Sequence, residues 1–118
     1  SRGLGDVYKR QEEQLKGFRT RKGEPYQLIA LPMADAIYDS EGERLPATYA
    51  NYLVMNQAVL YPTYAQPAND EAAARALAKA FPGREIVGVD CRALIYQHGS
   101  LHCATMQYPE GVFPEVTP

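Results

Sequence analysis

Residues 69–90, NDEAAARALAKAFPGREIVGVD, decide the fold class. Asn69 is a good N-cap, and Asp70 and Glu71 fall in the first turn, where the helix dipole favours negative charge. Ala73, Leu77, Ala80 and Phe81 recur at helical spacing, which predicts a helix over Asp70–Phe81 with one buried face. Pro82-Gly83 stops it, and Glu85–Asp90 follows as a short β-branched strand. Immediately upstream, Tyr49–Met55 and Ala58–Tyr61 are aromatic and aliphatic strand candidates. Asn56-Gln57 between them has the length of a two-residue hairpin turn, and Pro62 closes the second strand. Further out, Asp35–Pro46 reads as a surface loop. Tyr26–Ala30 reads as a strand ended by Pro32, and Glu12–Arg19 as the end of a helix stopped at Lys22-Gly23. Downstream, Cys91–Tyr96 predicts a helical turn or two, Gln97–Ser100 a polar loop and Leu101–Gln107 a final strand. Strands alternating with one good helix predict an α/β fold. Several strand edges would stay unpaired in so small a piece, which points to sheet partners outside it.

The chain has 118 residues, room for one modest domain. Its net charge of −2 gives no reason to expect nucleic acid or an anionic membrane surface as a partner. No apolar run approaches the roughly 18 residues of a membrane span, and the N-terminus lacks the apolar core of a signal peptide. Two cysteines are too few for a disulfide framework, so a reducing compartment, the cytoplasm, is expected. Residues 1–11, SRGLGDVYKRQ, resemble a translated sequencing-adapter scar found at the ends of assembled environmental sequences. They show neither helix nor strand periodicity, and a longer protein is expected to continue upstream of Glu12.

The chemistry concentrates in residues 97–107, QHGSLHCATMQ. A glycine-containing loop delivers Cys103 near the start of the last predicted strand, and such a loop lets the backbone approach a ligand closely. Free cysteine is also among the most buried residue types, so by composition alone either cysteine fits a core position. Cys91, after a β-branched strand, keeps that reading. A His102–Cys103 dyad is excluded if the segment is a strand, because neighbouring side chains then face opposite ways. His102 is expected to be structural, packed or hydrogen-bonded on the far face. His98 sits on the loop, within reach of Cys103 but fixed there by nothing in the sequence. The spacing of the two histidines and two cysteines matches no zinc pattern.

Four ordered blocks carry a resemblance. They are residues 45–52 (LPATYANY), 56–64 (NQAVLYPTY), 81–92 (FPGREIVGVDCR) and 98–103 (HGSLHC). Together they resemble the agmatine deiminase and bacterial peptidylarginine deiminase family almost continuously from Glu12 to Gln107. The resemblance implies a pentein-type α/β propeller of five modules, of which this chain would supply about the last one to one and a half. Residues 12–108 would be the C-terminal part of the deiminase domain, and residues 109–118 an extended tail. It also implies a hydrolase of guanidino groups with no cofactor. Cys103 would be the nucleophile, and Asn51, Gly99 and Ser100 substrate-binding or supporting residues. For Asn51 a strand-entry residue satisfying local backbone remains an equal reading. The implied partners are a small guanidino substrate and the missing N-terminal modules of the same chain, with a homo-oligomer left open.

Two departures from the family pattern loosen the substrate assignment. The loop reads Gln-His-Gly-Ser-Leu-His-Cys where many agmatine deiminases have Gly-Gly-Gly-Asn-Ile-His-Cys. Ala65-Gln66-Pro67 stands where Gly-Asp-Pro is common. The His-x-Asp motif that supplies the family's acid/base histidine and a guanidinium-binding carboxylate does not occur in this chain. The chain alone is therefore expected to be inactive.

Overall fold

The computed structural model describes residues 2–114, which fall into two units, one ending at Ala30 and one beginning at Leu31. In the first, helix α1 spans Arg2–Gly17, so helix runs through residues 2–11, the stretch read as aperiodic. An exposed Glu12–Lys16 pair at 3.4 Å braces its last turns, worth a few tenths of a kcal/mol. The helix stops at Gly17 rather than at Lys22-Gly23. Lys22-Gly23 instead lies in a tight turn closed by Gly23 N–H to Thr20 O at 2.9 Å. Tyr26–Ala30 is not a strand. Only Pro25 bridges back, to Arg19, and Tyr26 and Leu28 remain exposed.

The second unit holds the core. Strands β1 (Ile37–Tyr38) and β2 (Arg44–Leu45) form a two-residue-deep antiparallel hairpin inside the predicted loop. Its turn is held by the Asp39 carboxylate, which accepts from Glu41 N and Glu43 N at 2.9 Å each. The main sheet has the order β3 (Leu53–Val54), β4 (Ala58–Thr63), β5 (Glu85–Asp90). β3 and β4 pair antiparallel across Asn56-Gln57, and β4 and β5 pair parallel from Ala58↔Glu85 to Thr63↔Asp90. A parallel pair needs a crossover, and α2 (Pro67–Ala80) provides it. Tyr49–Met55 is mostly loop, so the first strand is shorter than the sequence suggests. β4 runs on through Pro62, a residue with no N–H to give a ladder. The cost is avoided because β3 pairs only with Val59 and Leu60, so no β3 residue pairs with Pro62 on that side.

The helix begins three residues early. Pro67 occupies its first turn, as its fixed φ favours, and Gln66 is the N-cap residue in place of Asn69. Asn69 turns its amide to Gln66 Oε1 at 3.1 Å. Ala73 and Leu77 are buried as predicted and Phe81 packs against the core, whereas Ala80 is exposed. Downstream, Leu94–Gln97 forms a 3₁₀ turn. Leu101–Gln107 is no strand: His102–Ala104 is a second 3₁₀ turn. The amides that a ladder would need are engaged elsewhere, His102 N–H by Asn51 O and Cys103 N–H by Asn51 Oδ1, both at 3.2 Å. Residues 109–112 make a further turn, closed by Val112 N–H to Pro109 O at 3.3 Å, while residues 115–118 of the expected tail lie outside the described residues. No described helix is long and apolar enough to cross a membrane.

Three tyrosines, Tyr49, Tyr61 and Tyr64, sit in the core with the aliphatic residues. Burial raises the pKa of all three, and the Asp70 charge adds to each. A raised native pKa means the folded chain holds these protons longer than the unfolded chain does. The stability they confer is complete below pH about 10 and is lost as pH rises beyond it. In an alkaline titration these three tyrosines should therefore keep their protons as long as the fold is intact. The last tyrosinate absorbance should appear only as the circular dichroism collapses. Complete tyrosine ionisation with native dichroism would contradict this.

Candidate active site

Cys103 lies at the centre of the second 3₁₀ turn with its side chain exposed. Asn51, 52 positions earlier, grips it from both ends. Its Nδ2 donates to the Cys103 sulfur at 3.2 Å, and its Oδ1 accepts from the Cys103 backbone N–H at 3.2 Å. The thiol pKa is lowered, first by the backbone amide of Ser100 and then by the Asn51 side chain. Hydrogen bonds to a sulfur favour its thiolate, the form that reacts. Cys91 is the opposite case. It is fully buried, and desolvation raises its pKa. The two cysteines thus differ in setting, one buried with its pKa raised and one exposed with its pKa lowered.

Gly99 makes room for this arrangement. A Cβ at that position would stand 2.9 Å from Cys103 Cβ and 3.4 Å from its sulfur. Leu94, Gln97, Gly99, Ser100, Cys103 and Ala104 line a small cavity of about 120 Å³ at the thiol. Of the four residues singled out from the sequence, Asn51, Gly99 and Cys103 meet around the sulfur. Ser100 contributes its backbone amide only. Its side chain is 2% exposed and turned inward, with Oγ 2.7 Å from the Tyr64 hydroxyl. In that orientation its hydroxyl supports the loop from the core side.

The strand argument against a His102–Cys103 dyad lapses, since the segment is not a strand. The His102 ring pairs instead with Gln107 Oε1, at 3.3 Å through Nε2. His102 is also exposed rather than packed. His98 adopts a left-handed backbone, φ 63°, at the end of the first 3₁₀ turn, and is exposed too. Gln107 reaches on to β3, donating to Val54 O at 2.7 Å. Among the described residues, no three His, Cys, Asp or Glu side chains gather so as to hold a metal ion.

Two supports escaped the sequence reading. Tyr64, half-way along the chain, bonds Thr48 and Ser100 at once. Asp70 accepts from Tyr49 OH at 2.6 Å and from the backbone N–H of Tyr64 and Gln66 at 3.2 and 3.0 Å. Asp70 drew notice only as a first-turn acid, and no local pattern marks its true partners.

The family model for Porphyromonas-type peptidyl-arginine deiminase matches residues 5–109. The chain belongs to that family. Among its relatives, a Marinomonas sp. protein provisionally named an agmatine deiminase is 36% identical over 105 residues, covering 75% of this chain and 28% of that protein. A solved Porphyromonas gingivalis structure, provisionally titled an arginine deiminase, shares 55% identity over 85% of this chain and 29% of its own, with a TM-score of 0.77. The solved C. jejuni agmatine deiminase shares 41% identity over 80% of this chain and 26% of its own, with a TM-score of 0.66. The α/β fold of these deiminases is therefore the fold of this chain, which spans under a third of the length of each of these relatives.

Proposed function

We propose that Cys103 is the nucleophile of a guanidine-hydrolysing deiminase and that this chain forms the C-terminal part of it. The observation that carries the reading is the exposed, hydrogen-bonded sulfur of Cys103, with its pKa lowered, set against a buried Cys91. In the reaction the thiolate attacks the central guanidinium carbon. The C–N bond to one amino group breaks, and that group leaves as ammonia after taking up a proton. The covalent thiouronium that remains is attacked by water at the same carbon. The C–S bond then breaks, returning the thiolate and releasing a ureido product and two protons, one of which balances the proton taken up with the ammonia. Dividing one hard substitution into two easier ones is the gain of a covalent route. The cationic substrate itself would further stabilise the thiolate.

The favoured substrate is agmatine, giving N-carbamoylputrescine, in keeping with the agmatine deiminases among the relatives and a role in polyamine synthesis. Peptidyl-arginine is the second reading. It is favoured by the matched family's description. The acid/base histidine and the guanidinium-binding carboxylates would come from earlier modules of a pentein-type propeller. The outer edge of β5, unpaired among the described residues, is where such a module would continue the sheet.

The test uses the full-length parent enzyme and the present chain side by side. A haloacetamidine, shaped like a guanidinium, should label Cys103 of the parent selectively over Cys91. The parent should release ammonia from agmatine, and the 118-residue chain should release none. Equal and sluggish labelling of both cysteines in the parent would instead favour a pentein-like domain without chemistry. Faster turnover of peptidyl-arginine than of agmatine would select the second substrate.

A further inference from the structure

We propose that the Tyr64 hydroxyl is a positioning group for the Cys103 sulfur, tying together the two backbone segments that hold it in place. The inference rests on the reading of Cys103 as nucleophile. Asn51, whose amide donates to the sulfur, lies on one segment, and Ser100, in the loop that leads to Cys103, on the other. They lie on separate loops, 49 positions apart by residue number (100 − 51), so something must fix one loop against the other. Tyr64 does so from below. Its hydroxyl donates to Thr48 O at 2.9 Å and accepts from Thr48 N–H at 3.1 Å. The same hydroxyl stands 2.7 Å from Ser100 Oγ, within hydrogen-bond distance.

Thr48 stands three residues before Asn51, and Ser100 three residues before Cys103. The Thr48 Oγ1 accepts from Ala50 N–H at 3.2 Å, which carries the constraint along the loop toward Asn51. Asn51 then closes the circuit by accepting from Cys103 N–H and, through its own carbonyl, from His102 N–H. Tyr64 and Ser100 are each 2% exposed. Buried polar networks of this kind are rigid when fully satisfied and costly when broken. Every member here has a partner, since no buried side-chain nitrogen or oxygen among the described residues lacks one. The ring is held as well, packed against Tyr49 with centroids 5.5 Å apart. Tyr64 touches no part of the cavity at the thiol, so its role is positional.

The experiment measures the rate of Cys103 alkylation by iodoacetamide against pH, in the 118-residue chain, for wild type, Tyr64→Phe, Ser100→Ala and the double variant. His98 and His102 flank the thiol in sequence and are present in all four proteins, so their titration is common to every profile. Tyr64→Phe and Ser100→Ala should each move the profile toward that of an ordinary thiol and slow alkylation at neutral pH by about threefold to tenfold. The double variant should be no slower than the slower single one, because both substitutions cut the same link. If wild-type Cys103 already behaves as an ordinary thiol, the nucleophile reading fails and takes this one with it. If wild type is activated and the single variants match it while keeping native circular dichroism, the positioning role alone is overturned. If Tyr64→Phe does not fold, Ser100→Ala decides, since it removes one hydroxyl and nothing else.

Discussion

Replacing Asp70 with alanine is expected to remove about 3–5 kcal/mol of stability, enough to unfold a large share of a small domain. The carboxylate takes three hydrogen bonds, from Tyr49 OH, Tyr64 N and Gln66 N. Each bond to a charged acceptor contributes roughly 1.5–3 kcal/mol, though such values do not add fully. Alanine also leaves the Tyr49 hydroxyl without its partner in a site where the residue is 1% exposed, and an orphaned buried donor costs about 1–3 kcal/mol in its own right. Asp70→Asn keeps one accepting oxygen and should fall between the two. Glu71, the neighbouring acid in sequence, provides the contrast. It makes only a surface pair with Arg75 at 3.0 Å, so Glu71→Ala should change stability by no more than about 0.5 kcal/mol. Urea unfolding of the three variants checks this. Asp70→Ala and Glu71→Ala lying within half a kcal/mol of each other would show that the buried network contributes little.

That contrast also marks what was legible in the sequence. Asp70 and Glu71 look alike in a linear string, since both suit the first turn of a helix. Only the fold reveals that one reaches the tyrosines and the other reaches solvent. Elements with a strong internal period were readable. Ala73 and Leu77 gave α2, the β-branched residues Ile86, Val87 and Val89 gave β5, and Asn56-Gln57 gave the β3–β4 turn. Elements decided by distant partners were not. Leu101–Gln107 has a strand's composition, but Asn51 captures its amides and winds it into a 3₁₀ turn. Asn69 has the chemistry of an N-cap, but Pro67 and the Asp70 carboxylate start the helix sooner. The candidate site divides in the same way. Cys103 and Asn51 could be named only through family resemblance, since composition favoured a core role for any cysteine. Tyr64 could not be singled out at all, because its partners Thr48 and Ser100 lie 16 and 36 positions away.

The tightest steric constraint at the thiol is Gly99, and Gly99→Ala should cost reactivity far more than stability. Its backbone is not left-handed, so alanine is conformationally acceptable and the whole penalty is contact. The new methyl would stand 2.9 Å from Cys103 Cβ, well inside van der Waals distance. The clash cannot be relieved by turning a flexible side chain, because a Cβ moves only with its backbone. The 3₁₀ turn must therefore shift, at a cost of about 1–3 kcal/mol. The shift acts where tolerance is least. The Ser100 N–H, the Asn51 amide and the sulfur form contacts that a displacement of several tenths of an ångström would open. Misplacement of about 1 Å can reduce a reaction on the order of a hundredfold. Haloacetamidine labelling of Cys103 in the full-length enzyme should accordingly fall by about that factor in Gly99→Ala. Gly17→Ala serves as the control, because a Cβ there meets nothing within 4 Å and the residue ends α1, outside the unit that holds the thiol. It should label as wild type does. Labelling of Gly99→Ala at the wild-type rate would mean that the turn carrying Cys103 yields freely, and that the close approach of Gly99 has no part in holding the sulfur.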